Sequence, residues 1–279
     1  MKTRALLLKK ALANSSMLAL LIGLTACGAS GTASQGGAAS EAGQLSDVLA
    51  KGKIVVAMEG QWAPWTYHNE SDELVGFDVE VARGIAEKMG VGVEFVEGEW
   101  DGLFAGLDAG RYDMIANGVE VTEERAQKYD FSVPYGYIHT SLVVKSDNTD
   151  ITSFEDLAGR ITTNSIASTY EAIARSYGVK DVLGVDTIDE TMNMVLSGRA
   201  DATLNANVSF YDYMSVHPDA ALKEVAQTTD ASLVCVPIRK GEDAFREKVD
   251  EAIEALRAEG RLSEISVRYF GSDITKKTD

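Results

Sequence analysis

Three glutamates and one arginine stand within the ten residues ANGVEVTEER, 116–125. An arginine among acids can form an exposed ion pair, here with Glu123 or Glu124, worth only ~0–1 kcal/mol. It can also be kept as a cation for something other than its neighbours. The glutamates are not equivalent. Glu123 and Glu124 follow Thr122 and fall in the first turn of a helix, where acids favour the macrodipole, so a structural role accounts for them. Glu120 has no such account. It sits at a strand end, where a small polar residue would suit a tight strand-to-helix turn better. A positioned carboxylic acid is what acid–base catalysis needs, and Glu120 or Glu59 could serve. No nucleophile–base pair or cofactor motif accompanies either, and His68, His139 and His217 are scattered without ligand spacing. Neither a cofactor nor a metal is expected. Cys235, in SLVCVPI, reads as a small buried apolar residue.

These side chains need elements to hold them. KIVVAME (53–59) reads as a buried strand, and FDVEVARGIAEKMG (77–90) as a helix stopped by its last glycine. VGVEFVE (91–97) alternates like a strand, WDGLFAGLDAG (100–110) is a short helix, and YDMIAN (112–117) the next strand. The grammar resumes after residue 140, with Ser153 and Thr187 as helix N-caps and Glu190 completing a capping box. AFREKVDEAIEALRAEG (244–260) is a long amphipathic helix. Such alternation argues for parallel sheets covered by helices.

Two internal echoes carry more weight than any one element. LDAGRYDMIAN (107–117) and LSGRADATLN (196–205) share a Gly-Arg-x-Asp, and GKIVV (52–56) is matched by GRITT (159–163). Their common order predicts two lobes of similar topology. Ligands sit beyond the carboxyl ends of parallel strands, which would gather Glu59, Asn117, Ser165 and Asn205 around a shared cleft. The chain is expected to cross between lobes near YGYIH (135–139) and back near DASLV (230–234), two strands that make a hinge. The first lobe is then split into 46–134 and 235–279, around a second lobe at 140–229.

Composition narrows the classes. With 45% hydrophobic and 25% charged residues the chain is globular, and its net charge of −17 would repel nucleic acid and anionic lipid. The start departs from the rest. MKTRALLLKK, the apolar stretch Ala11 to Leu24 and LTAC read as a secretory signal over 1–26, too short for a membrane span. The Gly/Ala/Ser-rich stretch that follows reads as a flexible tether over 27–45.

At this point the residues resemble a known family. LTAC resembles the bacterial lipobox, which implies a lipidated Cys27 and an exported protein held at the outer face of the cell membrane. APW (63–65), GFDVEVA (76–82), WDGL (100–103), AGRYDMI (109–115), VTEERAQKYDFS (121–132) and LRAEGRLSEISVRYFG (256–271) occur in order over nearly all of 45–275. The set resembles the extracytoplasmic solute-binding proteins of ABC importers, in their polar amino-acid branch. EWDGLFAGLDAGRYDMIANGVEVTEER is most similar to the cystine and cysteine group.

The resemblance implies an α/β, two-lobed, type II periplasmic-binding-protein-like fold. A monomer would close over one amino acid and deliver it to an ABC permease and its ATPase. Carried over by position, Arg125 would clamp the ligand α-carboxylate through two parallel N–H donors. The backbone N–H groups of Glu120 and Thr169 would join it in the loop with Ser168, and the Gly118 carbonyl would accept from the α-ammonium. Trp62 and Trp100 would sandwich the ligand side chain, with Glu59 at the mouth. Trp65 is expected in the core, and the Tyr-rich FYDYM (210–214) in packing of its lobe.

Two departures stand out. Glu120 replaces the usual Ser or Thr, and Ala206 replaces the usual second-lobe Asp, so one carboxylate exchanges lobes. Arg125 is expected to help hold Glu120 ionised as the ammonium's counter-ion. A smaller departure is Ala167, where glycine is common. Two other classes were weighed against a binding protein that performs no chemistry. A periplasmic dehydratase of cyclic amino acids on the same fold needs a positioned acid; a sensory domain would need a membrane span, and none follows before Asp279.

Overall fold

The computed structural model describes residues 43–277. The expected signal, the lipidated Cys27 and most of the tether lie outside the described residues. The first helix, Gln44–Lys51, begins within the last two residues of the expected tether. Gln44 is buried there and donates through Nε2 to the Asp113 carbonyl at 2.6 Å.

Two sheets organise the chain. In the first, Lys53–Met58 lies between Gly92–Glu97 and Met114–Ile115, all parallel. In the second, Ile161–Asn164 lies between Asp181–Gly184 and Ala202–Ala206, again parallel. Thr140–Lys145 and Leu222–Gln227 extend that sheet antiparallel. The inner parallel strands Lys53–Met58, Ile161–Asn164 and Ala202–Ala206 are largely buried runs because helices cover them. Phe77–Met89 buries Phe77, Val81 and Ile85 against Phe245, Val249, Ile253 and Leu256 of the long helix Asp243–Ala258. Each fully buried side chain of this kind contributes ~1.5–3 kcal/mol.

The sequence echo has a structural cause. Both Gly-Arg-x-Asp segments leave a helix through a left-handed glycine, Gly110 (φ 65°) and Gly198 (φ 72°). The aspartate then ties the next strand to the central one. Asp113 Oδ2 accepts from the Val55 N–H at 2.8 Å, and Asp201 Oδ2 from the Ile161 N–H at 2.8 Å. Each aspartate N–H donates back, to the Val55 and Ile161 carbonyls at 2.8 and 2.7 Å. The motif is a staple that both lobes use.

Two antiparallel segments, Gly136–Ile138 and Ser232–Val234, connect the lobes. Residues 119–121 are bonded to the second connection: Val121 N–H donates to the Leu233 carbonyl at 3.0 Å, and Cys235 N–H to the Val119 carbonyl at 2.9 Å. The loop that carries Glu120 therefore rides on a connection between lobes. Cys235 is buried, and burial pushes its thiol up to about 12, the state of an inert packing residue.

Candidate functional site

A small cavity, partly open to solvent, lies between the lobes. Glu59, Trp62, Trp100, Asn117, Gly118, Glu120 and Arg125 line it from the first lobe, and Ser165, Ser168, Thr169 and Asn205 from the second. Every residue singled out as a ligand contact from the sequence is thus beside one space. Five further residues join them, Asn164, Tyr170, Asp186, Ile188 and Thr191. Asn164 had a signal that passed unused: it is the last residue of its parallel strand, one before Ser165.

Arg125 owes its place to the cap before it. Thr122 Oγ1 accepts from the Arg125 N–H at 3.2 Å and starts the helix Glu123–Lys128, with Glu123 and Glu124 exposed in its first turn. The Arg125 side chain bonds to neither acid and reaches other partners. Its guanidinium lies 5.2 Å from the ring centres of Trp100 and Phe104, close enough for cation–π attraction. Nη1 donates to the Glu120 carbonyl at 2.9 Å and to Thr169 Oγ1 at 3.1 Å, and Nη2 to the Ala167 carbonyl at 3.3 Å. The fork spans both lobes.

Glu120 is 3% exposed, and its Oε2 has no hydrogen-bond partner. Burial pushes its carboxyl above the usual range, against the opposing pull of Ser232, Arg125, Tyr170 and Thr169. Arg125 pulls toward the ionised form, as expected, without outweighing burial. Desolvation is the larger effect, and without a cationic ligand Glu120 is driven toward its neutral form.

The floor is set by Gly118 at φ 56°. A Cβ there would come within 2.7 Å of Trp62 Cζ3 and 3.2 Å of Trp65 Cδ2, so glycine is required by both conformation and space. The two indoles stack at 5.3 Å; Trp65 is fully buried in the core, and Trp62 is the half-buried ring that faces the cavity. Beneath them Asp78, fully buried, accepts from the Gly118 N–H and, at 2.7 Å, from Tyr135 Oη.

At the other end, Asn117 orients Glu59. Its Oδ1 accepts from the Glu59 N–H at 2.8 Å, and its Nδ2 donates to Glu59 Oε2 at 2.6 Å. Burial pushes Glu59 up to about 7, with Glu99 and Asp186 adding to the rise against the Asn117 bond. The folded chain then keeps a proton that the unfolded chain loses at about 4.5. Stability without ligand should therefore fall as pH rises from about 4.5 to about 7, by on the order of 1–3 kcal/mol. Glu59→Gln should remove the Glu59 share of the fall, while the raised Asp78 and Glu120 contribute equally to both proteins, so the variant's thermal midpoint should gain on wild type's as pH rises. Parallel curves across this window would place Glu59 in water.

Ala167 shows what the small departure costs. It is non-glycine at φ 60°, between Ser165 and the Ser168 N-cap of the helix Thr169–Ser176. A left-handed alanine costs roughly 1 kcal/mol, so Ala167→Gly should raise unfolding stability by about that amount in denaturant titrations. An unchanged or lower midpoint would mean that this loop relaxes out of the left-handed region.

A dipolar space between two parallel-sheet lobes, aromatic on one wall, is the mark of a class of proteins that close on small solutes. Residues 54–272 match the bacterial extracellular solute-binding proteins, family 3, and the chain belongs to that family. It is 41% identical over 238 residues to a probable amino-acid ABC transporter-binding protein of Haemophilus influenzae, covering 85% of this chain and 92% of that one. It is 34% identical over 270 residues to the L-cystine-binding protein TcyA of Bacillus subtilis, covering 96% and 100%. Among solved structures, an ancestral arginine-binding protein bound to glutamine superposes with a TM-score of 0.74 at 34% identity, covering 79% of this chain and 99% of that one. The fold is accordingly α/β, two-lobed and type II periplasmic-binding-protein-like.

Proposed function

We propose that this chain is the substrate-binding component of an ABC amino-acid importer and holds one polar amino acid between its lobes. The observation that carries the reading is the pairing of Arg125 with Glu120 on one cavity. A guanidinium and a buried carboxyl five residues apart match the two charges of an α-amino acid. Arg125 would take the α-carboxylate, helped by the Glu120 N–H and by the Thr169 N–H at a helix start. Glu120 and the Gly118 carbonyl would take the α-ammonium, and Trp62 and Trp100 the side chain. Among polar amino acids the reading leans to cystine or cysteine, which TcyA's name and the motif likeness both favour. A thermal-shift panel of the twenty amino acids and L-cystine tests it, since ligand at 100 times its Kd adds ~2.7 kcal/mol. A panel without any stabilising amino acid would overturn it.

The importer role places the protein outside the cytoplasm, tethered by a lipid on Cys27 and working as a monomer with a permease and its ATPase. Two acyl chains are enough for stable anchoring. Cys27→Ser should therefore move the protein from the membrane fraction to the soluble fraction or leave it uncleaved. Equal membrane-bound amounts of mature wild type and variant would contradict the anchor.

Glu59, whose carboxyl burial raises to about 7, gives one observation in favour of a second reading, a dehydratase of cyclic amino acids. Recovery of every stabilising ligand unchanged after prolonged incubation would remove it.

A further inference from the structure

Buried polar atoms are almost always paired, so those that are not call for an explanation. Among the described residues, six buried side-chain atoms have no hydrogen-bond partner, and Glu120 Oε2, Tyr170 Oη and Asn164 Oδ1 are three of them. These three belong to residues that line the cavity, one in the first lobe and two in the second. All are buried, at 3%, 8% and 1% exposure. Asn164 cannot turn its amide to escape. Nδ2 donates to the Leu204 carbonyl at 2.7 Å, and a carbonyl only accepts, so Oδ1 must be the atom left over. Tyr170 sits in the first turn of the Thr169–Ser176 helix, where the Ser168 cap fixes its direction. Burial, then the charge of Glu120 and an approach to its carboxyl too loose to count as a hydrogen bond, push its hydroxyl far above the usual phenol range, so it stays neutral with an oxygen able to accept.

We infer that Tyr170 and Asn164 hold the α-ammonium of the ligand together with Glu120, so that the site selects a primary ammonium and grips it from both lobes. The inference rests on the amino-acid reading above and adds two residues to it. A primary ammonium has three N–H donors, and the three unpaired oxygens give each of them an acceptor, with the Gly118 carbonyl sharing one of the three. One of them carries the counter-charge. The other two belong to the lobe that lacks a carboxylate at Ala206, so neutral acceptors there complete what Glu120 begins. An ammonium seated on all three bonds the lobes to one another, which a ligand held by its carboxylate alone on Arg125 does not do through this end of the cavity.

The test crosses a protein variant with a ligand variant. Wild type and Tyr170→Phe are titrated with L-arginine and L-cystine, and with their deamino counterparts, 5-guanidinopentanoate and 3,3′-dithiodipropionate. Loss of one hydrogen bond to a charged group should weaken the amino acid by roughly ten-fold in the variant. The deamino ligand, already weak, should change by less than about two-fold, so the two losses are coupled. Asn164→Ala should behave in the same way. On unaltered protein, Nα-methyl-L-arginine keeps the charge with one N–H fewer and should also bind roughly ten-fold more weakly than L-arginine. Equal loss for amino and deamino ligands, or Nα-methylation without effect, would overturn the inference and leave the amino-acid reading in place. If neither L-arginine nor L-cystine binds, the inference falls, and the twenty-one-ligand panel alone decides that reading.

Discussion

Arg125→Ala should weaken amino-acid binding by ~2–5 kcal/mol, the cost of truncating one partner of a buried charge pair. The number is large because the guanidinium works in a half-buried place, against two aromatic rings and on two lobes at once. Removing it leaves the ligand carboxylate without its partner and removes bonds from Glu120 and Ala167 carbonyls to a charged donor. Arg125→Lys separates charge from shape. It keeps the cation but has no planar fork, so it should recover only a minor part of the loss. Calorimetric titration checks both variants, with thermal unfolding run beside it to show that the fold persists. Near wild-type affinity in Arg125→Ala would remove the carboxylate clamp.

Glu120→Gln should be the second large loss, on the order of 2–4 kcal/mol, because the ammonium would lose the carboxylate assigned to it, with only Glu59 and Asp186 left on the cavity. The raised carboxyl gives this prediction a pH signature. The ligand's ammonium stays charged in acid while Glu120 becomes neutral, so wild-type affinity should drop as pH falls through the raised Glu120 value. Glutamine does not titrate. The gap between wild type and variant should therefore narrow toward acid and widen toward alkali. Glu59 also titrates near 7, but it is common to both proteins and drops out of the difference. Glu120→Thr combined with Ala206→Asp returns the carboxylate to the second lobe and should recover part of the binding. Recovery beyond the sum of the single effects measures coupling across the cleft. A pH-independent gap, or no loss in Glu120→Gln, would make Glu120 a packing residue.

Much of this site was legible in the sequence because strand ends and repeated motifs are local signals. The echo of GRYD and GRAD predicted two similar lobes, and the structure shows both aspartates making the same staple. Thr122 announced the helix that aims Arg125. Tyr170 was missed because nothing in STYEAIARS distinguishes a tyrosine packed on a helix from one whose hydroxyl faces the opposite lobe. That depends on how the lobes meet. The raised Glu120 carboxyl is illegible in sequence for a related reason: its neighbour Arg125 is visible there, whereas the depth of burial that opposes it is not. Ala167 lies between these cases, since the sequence marks a missing glycine and only the backbone gives its left-handed φ.

The central claim is that one cavity recognises both charges of an amino acid. It is tested most directly by titrating the protein with the amino acid that stabilises it most in the panel, and then with that amino acid's methyl ester. The ester keeps the ammonium and the side chain but loses the carboxylate charge that Arg125 would hold. Binding of one amino acid per chain, with the ester weaker by at least about a hundred-fold, is the predicted result, in line with the cost of leaving a buried charge unpaired. Ester and free amino acid binding equally well would contradict it.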